Sequence, residues 1–179
     1  FQVDDESIIA RKITIGRPYW PLIASSDSSH ATQGHGTHVA GLVLGGPTFR
    51  AFWRDSSSIA NTWAKLTVLN VSDGERSIDY GAVSALHRYL GVPSSGRIVN
   101  MSISFDGNVS PDVKTAFDGM IRHGDNTLFV VAAGNQSRDV SGDIYPAALG
   151  ALQTGNVVTV AALDGSGRLA SFSNFDIKR

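Results

Sequence analysis

The sequence contains no cysteine, and this absence excludes three kinds of chemistry. A chain without thiols forms no disulfide, performs no thiolate catalysis and builds no cysteine-based zinc site. Without cysteines to indicate a redox environment, the compartment stays unassigned. No apolar run approaches the ~18 residues that a membrane span needs, and residues 1–6 lack the basic and then apolar pattern of a signal peptide.

Charged residues are also scarce, at 17% of the 179 residues, against about 25% in average proteins. The 15 Lys and Arg balance 16 Asp and Glu, so the net charge is −1. Because no field of one sign attracts nucleic acid or acidic lipid, we expect neither nucleic acid nor a membrane as a partner. Apolar residues at 42% and 19 glycines instead indicate one folded domain with tight turns.

From residue 65 onward, the pattern alternates between strands and helices. Runs of β-branched and other apolar residues predict strands at 65–71, 97–104, 127–133 and 156–162. Helical spacing predicts helices after Ser77 and after Ser110, where Pro111 occupies the first helical position, and a short helix near 38–44. This order predicts an α/β domain of three layers, with a mostly parallel central sheet and helices on both faces.

In an open α/β sheet, the loops at the carboxyl ends of the strands form the ligand crevice. The segments 105–108 and 134–137 follow two of the predicted strands and combine polar side chains with glycine. We therefore expect the functional residues of this sheet at that edge.

The sharpest local feature is the segment GHGTHVAG at 34–41, which holds one histidine between glycines. Zinc-binding helices space their histidines at i and i+4 with a glutamate between, whereas His35 and His38 are three apart and lack a nearby third ligand. A dinucleotide-binding loop would have to follow a strand, but residues 25–33 are polar. From these residues alone, the favoured interpretation is a glycine-rich helix start with a structural histidine.

The order of several motifs resembles that of the subtilisin-like serine peptidases (subtilases, the peptidase S8 family). The resemblance covers roughly residues 30–175, in the segments HGTHVAG at 35–41, NMSI at 100–103, VAAGN at 131–135, YPAA at 145–148, NVVTVAA at 156–162 and ASFSN at 170–174. It implies that His35 is the general base of an Asp-His-Ser triad, that His38 is structural, and that Asn135 donates to the oxyanion.

The resemblance also implies a polypeptide substrate. The substrate would lie as an added strand beside Ser102, Ile103 and Ser104, with Gly134 completing the substrate-binding residues. Many family members carry glycines where this chain has Ser104 and Phe105, so we expect a narrower pocket or a rim occupied by the phenylalanine.

Cofactors and further partners follow less directly from the resemblance. Structural calcium is common in the family, but residues 45–65 show no calcium-loop spacing, so no cofactor and no metal ligand are assigned. Many members are made with an inhibitory propeptide and exported. A propeptide, or a missing C-terminal segment of the same domain, is therefore the expected partner besides the substrate.

The aspartate and the serine of the triad are less clearly matched in this sequence than the histidine. Subtilases order their triad as Asp, His and Ser. In one interpretation Asp4, which precedes His35, is the triad aspartate, although Glu6 replaces the glycine expected after it. In the other, Asp4 belongs to a surface acidic cluster just after the catalytic motif, and the triad aspartate lies before residue 1. No Gly-Thr-Ser occurs, and the serine segment is expected beyond residue 174. Residues 1–179 are therefore predicted to be a partial catalytic domain, incomplete at the C-terminus.

Two functions remain open from the sequence. One is a serine endopeptidase domain truncated before its nucleophile and inactive alone, and the other is a non-catalytic module that binds peptide or protein. If the helix that bears the serine is missing, Val158 and Val160 are expected to lose cover, and the isolated chain is predicted to be marginally stable or aggregation-prone.

Overall fold

The computed structural model describes residues 10–14, 35, 38–39, 42–43, 65–69, 87, 90, 96–105, 107, 109–124, 126–140, 142, 144–151 and 155–176. The chain divides into two units, residues 1–85 and 86–179. Each unit is described by itself. Of the helix predicted after Ser77, only His87 and Leu90 belong to the described part, and both are helical.

The first unit contains an antiparallel pair of strands, β1 (Ala10–Thr14) and β2 (Lys65–Leu69). The strand predicted at 65–71 is therefore present as β2, and within the first unit it pairs antiparallel with β1. Its expected place in the parallel sheet stays a prediction. The β-branched pattern that predicts a strand is local, whereas the partner depends on a segment far away along the chain. Residues 10–14 carry no strand prediction, so this pairing was missed.

The second unit contains a parallel sheet of β3 (Arg97–Met101), β4 (Thr127–Ala132) and β5 (Val157–Val160), in that order. Helix α1 (Pro111–Arg122) connects β3 to β4. The register places Val99 beside Phe129, and Phe129 beside Val157. These elements confirm the α/β class, and the strands end before the predicted limits, so that residues 102–104 lie beyond β3.

Helix α1 begins and packs as its sequence predicts. The Ser110 hydroxyl accepts a hydrogen bond from the Val113 N–H at 3.4 Å, and Pro111 follows as the first helical residue. The predicted apolar face is buried throughout: Val113, Phe117, Met120 and Ile121. In the last turn the Asp118 carboxylate accepts a hydrogen bond from Arg122 at 2.7 Å, which raises the pKa of the exposed Arg122 guanidinium.

A short 3-10 helix, η1 (Ala147–Ala151), packs against β5. The Thr159 hydroxyl donates a hydrogen bond to the Ala147 carbonyl at 2.9 Å. A Cβ at Gly150 would lie only 2.1 Å from Thr159 Oγ1. Gly150 therefore permits a contact that a larger residue would prevent.

The two faces of the parallel sheet differ in burial. Phe129, Val131 and Met101 point to one face and are buried, with Phe129 and Val131 at 0% exposure. On the other face Val158 and Val160 are 48% and 49% exposed, and Ile98 is 76% exposed. Val158 and Val160 are thus exposed in the structure, while the loss of cover by a missing helix and the low stability expected from it stay predictions.

A membrane-spanning helix, which needs about 18 or more mainly apolar residues, is not found in the part of the chain that the structure describes.

Isosteric substitutions test this difference between the faces. Val131→Thr places a hydroxyl among fully buried apolar groups, so we expect it to lower the free energy of unfolding by about 1–3 kcal/mol. Val158→Thr keeps the β-branched shape on the exposed face and should change stability by no more than about 0.5 kcal/mol. Urea unfolding of the two variants measures both values. Equal losses would contradict the assignment of the faces.

Candidate active site

Two loops that carry candidate site residues begin at the same edge of the parallel sheet. Met101 and Val131 are register partners in β3 and β4, so the residues that follow them leave the sheet side by side. Residues 102–104 are half-buried, whereas Asn135 is exposed. The structure thus places the predicted residues at one sheet edge: Ser102, Ile103, Ser104, Gly134 and Asn135.

The segment after β3 is tied at both ends. Asn100 Nδ2 donates to Ser102 Oγ at 3.0 Å. The Phe105 N–H donates to the Tyr145 carbonyl at 2.7 Å, and the Tyr145 N–H donates back at 3.1 Å. The Phe105 ring packs edge-to-face on Phe117, with centroids 5.6 Å apart. The phenylalanine expected at the pocket rim is therefore anchored against α1.

The turn after β4 requires glycine at position 134. Gly134 has φ +101°, a conformation that residues with a Cβ rarely adopt. An added Cβ would lie 2.4 Å from Asn174 Nδ2 and 2.7 Å from Gln136 Oε1. Both the backbone and the surrounding side chains therefore exclude a larger residue immediately before Asn135.

Asn174 occupies the space beside this glycine and is fully buried. Its Nδ2 group donates to the Ala133 carbonyl at 2.9 Å, and its Oδ1 atom accepts from the N–H groups of Gln136 at 2.9 Å and Arg138 at 3.2 Å. The Asn174 N–H also donates to the Gly134 carbonyl at 3.0 Å. One buried asparagine thus bonds to both sides of Asn135.

Gln136 completes this network. Its Oε1 atom accepts from the Asn135 N–H at 2.9 Å and from Asn174 Nδ2 at 2.7 Å. The backbone N–H of Asn135 is therefore engaged within the protein. The exposed side-chain amide of Asn135 is the group that can donate to a bound molecule.

A hairpin after β5 leads into the segment that carries Asn174. Leu163 and Leu169 pair across it, and Asp164 lies in its turn. Asp164 Oδ1 accepts from Ser166 Oγ at 2.8 Å, and from the N–H groups of Arg168 at 3.0 Å and Ser166 at 2.9 Å. These hydrogen bonds, with the Ser166 hydroxyl first, lower the pKa of the Asp164 carboxyl.

The remaining predicted residues lie in the first unit. His35 and His38 are both helical and exposed, which agrees with the predicted helix start. Asp4 lies outside the described residues. Among the residues that the structure describes, no group of three His, Asp or Glu side chains could hold a metal ion.

Sequence reasoning assigned no role to Asn174 or Gln136. The ASFSN segment contributed to the resemblance, but nothing in its spacing indicated that its asparagine reaches Ala133, which is 41 positions away. The available signal for Asn174 in the sequence was that it is a polar residue at the end of the ASFSN segment.

Comparison with known proteins shows the family to which this sequence belongs. The subtilase family, peptidase S8, matches residues 16–179. An extracellular protease of Xanthomonas campestris pv. campestris is 34% identical over 79% of this chain and 24% of its own length. Subtilisin-like protease 2 of Pseudogymnoascus destructans is 30% identical over 98% of this chain and 40% of its own length.

A solved structure, that of a cold-adapted subtilisin-like serine proteinase, shares 27% identity with a TM-score of 0.47, covering 59% of this chain and 36% of that one. The family match spans most of the sequence, and the chain belongs to the subtilase family. It covers only 24% and 40% of the lengths of the two relatives above.

Gly134→Ala tests the tight turn before Asn135. The new Cβ would meet Asn174 and Gln136 at a positive φ, so we expect a loss of about 2 kcal/mol or more in the free energy of unfolding. Gly165→Ala is the matched control, because no atom lies within 4 Å of a Cβ there. Chemical unfolding of both variants measures the difference. An unchanged free energy of unfolding in Gly134→Ala would contradict the described turn.

The Asp164 carboxyl provides a test by titration. Because its folded pKa is lowered, the hairpin gains stability above the unfolded pKa of about 3.9 and loses it as the pH falls through the folded value. A ¹³C NMR titration should place the midpoint of Asp164 below about 3.9. Ser166→Ala removes the hydrogen bond that the Ser166 hydroxyl donates to Asp164, so it should move that midpoint upward. A midpoint at or above the ordinary value in the unaltered chain would count against the turn.

Proposed function

We propose that this chain is part of a serine endopeptidase domain that hydrolyses peptide bonds with an Asp-His-Ser triad and an asparagine oxyanion hole. One observation carries the proposal. Asn135 stands exposed at the carboxyl edge of the sheet, on a turn locked by Gly134, Gln136 and Asn174, in a chain of the subtilase family.

Asn135 would stabilise the charge that develops during the reaction. Attack on the scissile carbonyl places negative charge on its oxygen, and a fixed amide donor lowers the energy of that state. The backbone N–H of Asn135 already bonds to Gln136 Oε1, so the donor would be the Asn135 side chain. In subtilisin, loss of the oxyanion asparagine costs about 10²–10³-fold in kcat.

His35 would act as the general base. A serine hydroxyl is a weak nucleophile, so an imidazole must accept its proton and then return it to the leaving amine. A carboxylate, for which Asp4 is the candidate, would orient that imidazole and stabilise its protonated form. The nucleophilic serine would lie outside residues 1–179, since these residues contain no Gly-Thr-Ser.

A polypeptide substrate would bind in extended form beside residues 102–104. Main-chain hydrogen bonds would supply affinity and side-chain pockets the selectivity. Gly134, at the end of β4, would contribute only its backbone to this binding surface, because Asn174 and Gln136 fill the space beside its Cα. We further propose that a propeptide or a C-terminal segment of the same domain contacts this edge, and that no cofactor takes part in the reaction, any calcium being structural.

A second candidate is a subtilase-like module that binds peptide or protein without cleaving it. The two candidates differ in whether an activated serine ever forms beside His35.

A fluorophosphonate probe, which reacts with activated serines, distinguishes the two. We expect labelling of a longer product of the same gene and none of residues 1–179 alone. His35→Ala in the longer product should abolish the labelling, because the base is lost. A longer product that stays unlabelled would favour the binding module, and robust labelling of residues 1–179 would contradict a serine outside them.

Asn135→Leu tests the oxyanion donor in the longer product. Leucine has nearly the same shape but no amide, so we expect kcat to fall about 10²–10³-fold with little change in KM. Asn126→Gly is the control, because Asn126 is exposed at the opposite end of β4 and has a φ of +57° that glycine adopts readily. Peptide hydrolysis measures both variants. An unchanged kcat in Asn135→Leu would remove this residue from the mechanism.

A further inference from the structure

The side-chain amide of Asn174 uses its full hydrogen-bonding capacity. Its two donor positions are taken by the Ala133 carbonyl and Gln136 Oε1, and its oxygen accepts from the N–H groups of Gln136 and Arg138. A primary amide offers two donors and two acceptor sites, so none is left over. Because Asn174 is fully buried, any displacement would leave polar atoms unpaired away from water.

All of these partners lie in residues 133–138, on both sides of Asn135. Asn174 itself does not bond to Asn135; Gln136 makes that connection by accepting from the Asn135 N–H. The backbone of Asn135 is therefore held from within the protein, while its side chain stays exposed.

The conformation of this turn explains why it needs support. Gly134 has φ +101° and Ser137 has φ +55°, and the second value is uncommon for a residue with a Cβ. A turn with such backbone angles is maintained only when contacts with its surroundings hold it in place. The hydrogen bonds of Asn174 to the Gln136 and Arg138 N–H groups are contacts of this kind.

Asn174 is in turn fixed to the sheet. Ser173 Oγ accepts from the Ala162 N–H at 2.9 Å, two residues beyond β5. The Ala170 N–H donates to the Ala162 carbonyl at 2.9 Å. The end of β5 thus sets the position of Asn174, and Asn174 sets the turn that follows β4.

We infer that Asn174 is a positioning residue, which acts through Gln136 to hold Asn135 in the orientation needed for an oxyanion donor. The catalytic consequence rests on the function proposed above. The ordering of residues 134–138 by Asn174 is independent of the proposed function, and it can be measured without any reaction.

Amide hydrogen exchange, followed by NMR on residues 1–179, tests the ordering. Asn174→Ala should raise the exchange rates of the Gln136 and Arg138 amides by at least about tenfold, while Phe129 and Val131 in β4 keep their protection. Ser137→Ala is the matched control, since it removes a different side-chain link between these segments, from Ser137 Oγ to the Ser171 carbonyl. It should leave the Gln136 and Arg138 amides protected.

A second pair of variants keeps the test valid if Asn174→Ala fails to fold. Gln136 is exposed, so Gln136→Ala should fold and raise the exchange rate of the Asn135 amide about tenfold. Gln136→Glu keeps an acceptor oxygen and should restore protection. Unchanged exchange at Asn135 in Gln136→Ala, or equal loosening by Ser137→Ala and Asn174→Ala, would overturn the inference.

Kinetics separate this inference from the proposed function. In the longer gene product, Asn174→Ala should lower kcat for a peptide substrate at least tenfold with KM nearly unchanged, because only the oxyanion donor is misplaced. If Asn174→Ala loosens residues 134–138 but the unaltered protein has no peptidase activity, the proposed function is refuted and the positioning role of Asn174 still holds. Normal kcat alongside a loosened turn would refute the catalytic consequence of that role.

Discussion

The parallel pairing of β3, β4 and β5 is the constraint on which the candidate site depends. Because the three strands run in one direction, the loops that follow them leave from the same sheet edge. Burial of Phe129 and Val131 on one face holds β4 in this register. The exposed residue Asn135 and the half-buried residues 102–104 consequently follow neighbouring strands at the same sheet edge.

Apolar burial and polar bonding have different tasks in this unit. Burial is non-directional and stabilises the sheet against α1, with Phe117 and Phe129 fully buried. Hydrogen bonds contribute only about 0.5–1.5 kcal/mol each, but they have direction. The amide of Asn174 can therefore select one conformation for residues 134–138, which packing alone would not. Catalytic donors need such fixed orientation more than they need added stability.

The sequence predicted the local elements well and the distant contacts poorly. Helix α1 was predictable because Ser110, Pro111 and the spacing of its apolar face are all encoded within one short segment. The location of Asn135 just after β4 was predictable from the apolar run before it, while its role, which the family resemblance implies, stays a prediction. The pairing of β2 with β1 and the role of Asn174 were not, since each depends on a partner far along the chain. Family resemblance indicated the ASFSN segment but not the contact that its asparagine makes.

The central claim is that a buried Asn174 amide holds the turn that presents Asn135. The most direct measurement is NMR of the Asn174 side-chain amide in residues 1–179. We predict slowly exchanging Nδ2 protons with nuclear Overhauser contacts to Ala133 and Gln136. Rapid exchange typical of a solvated amide, without those contacts, would contradict the account.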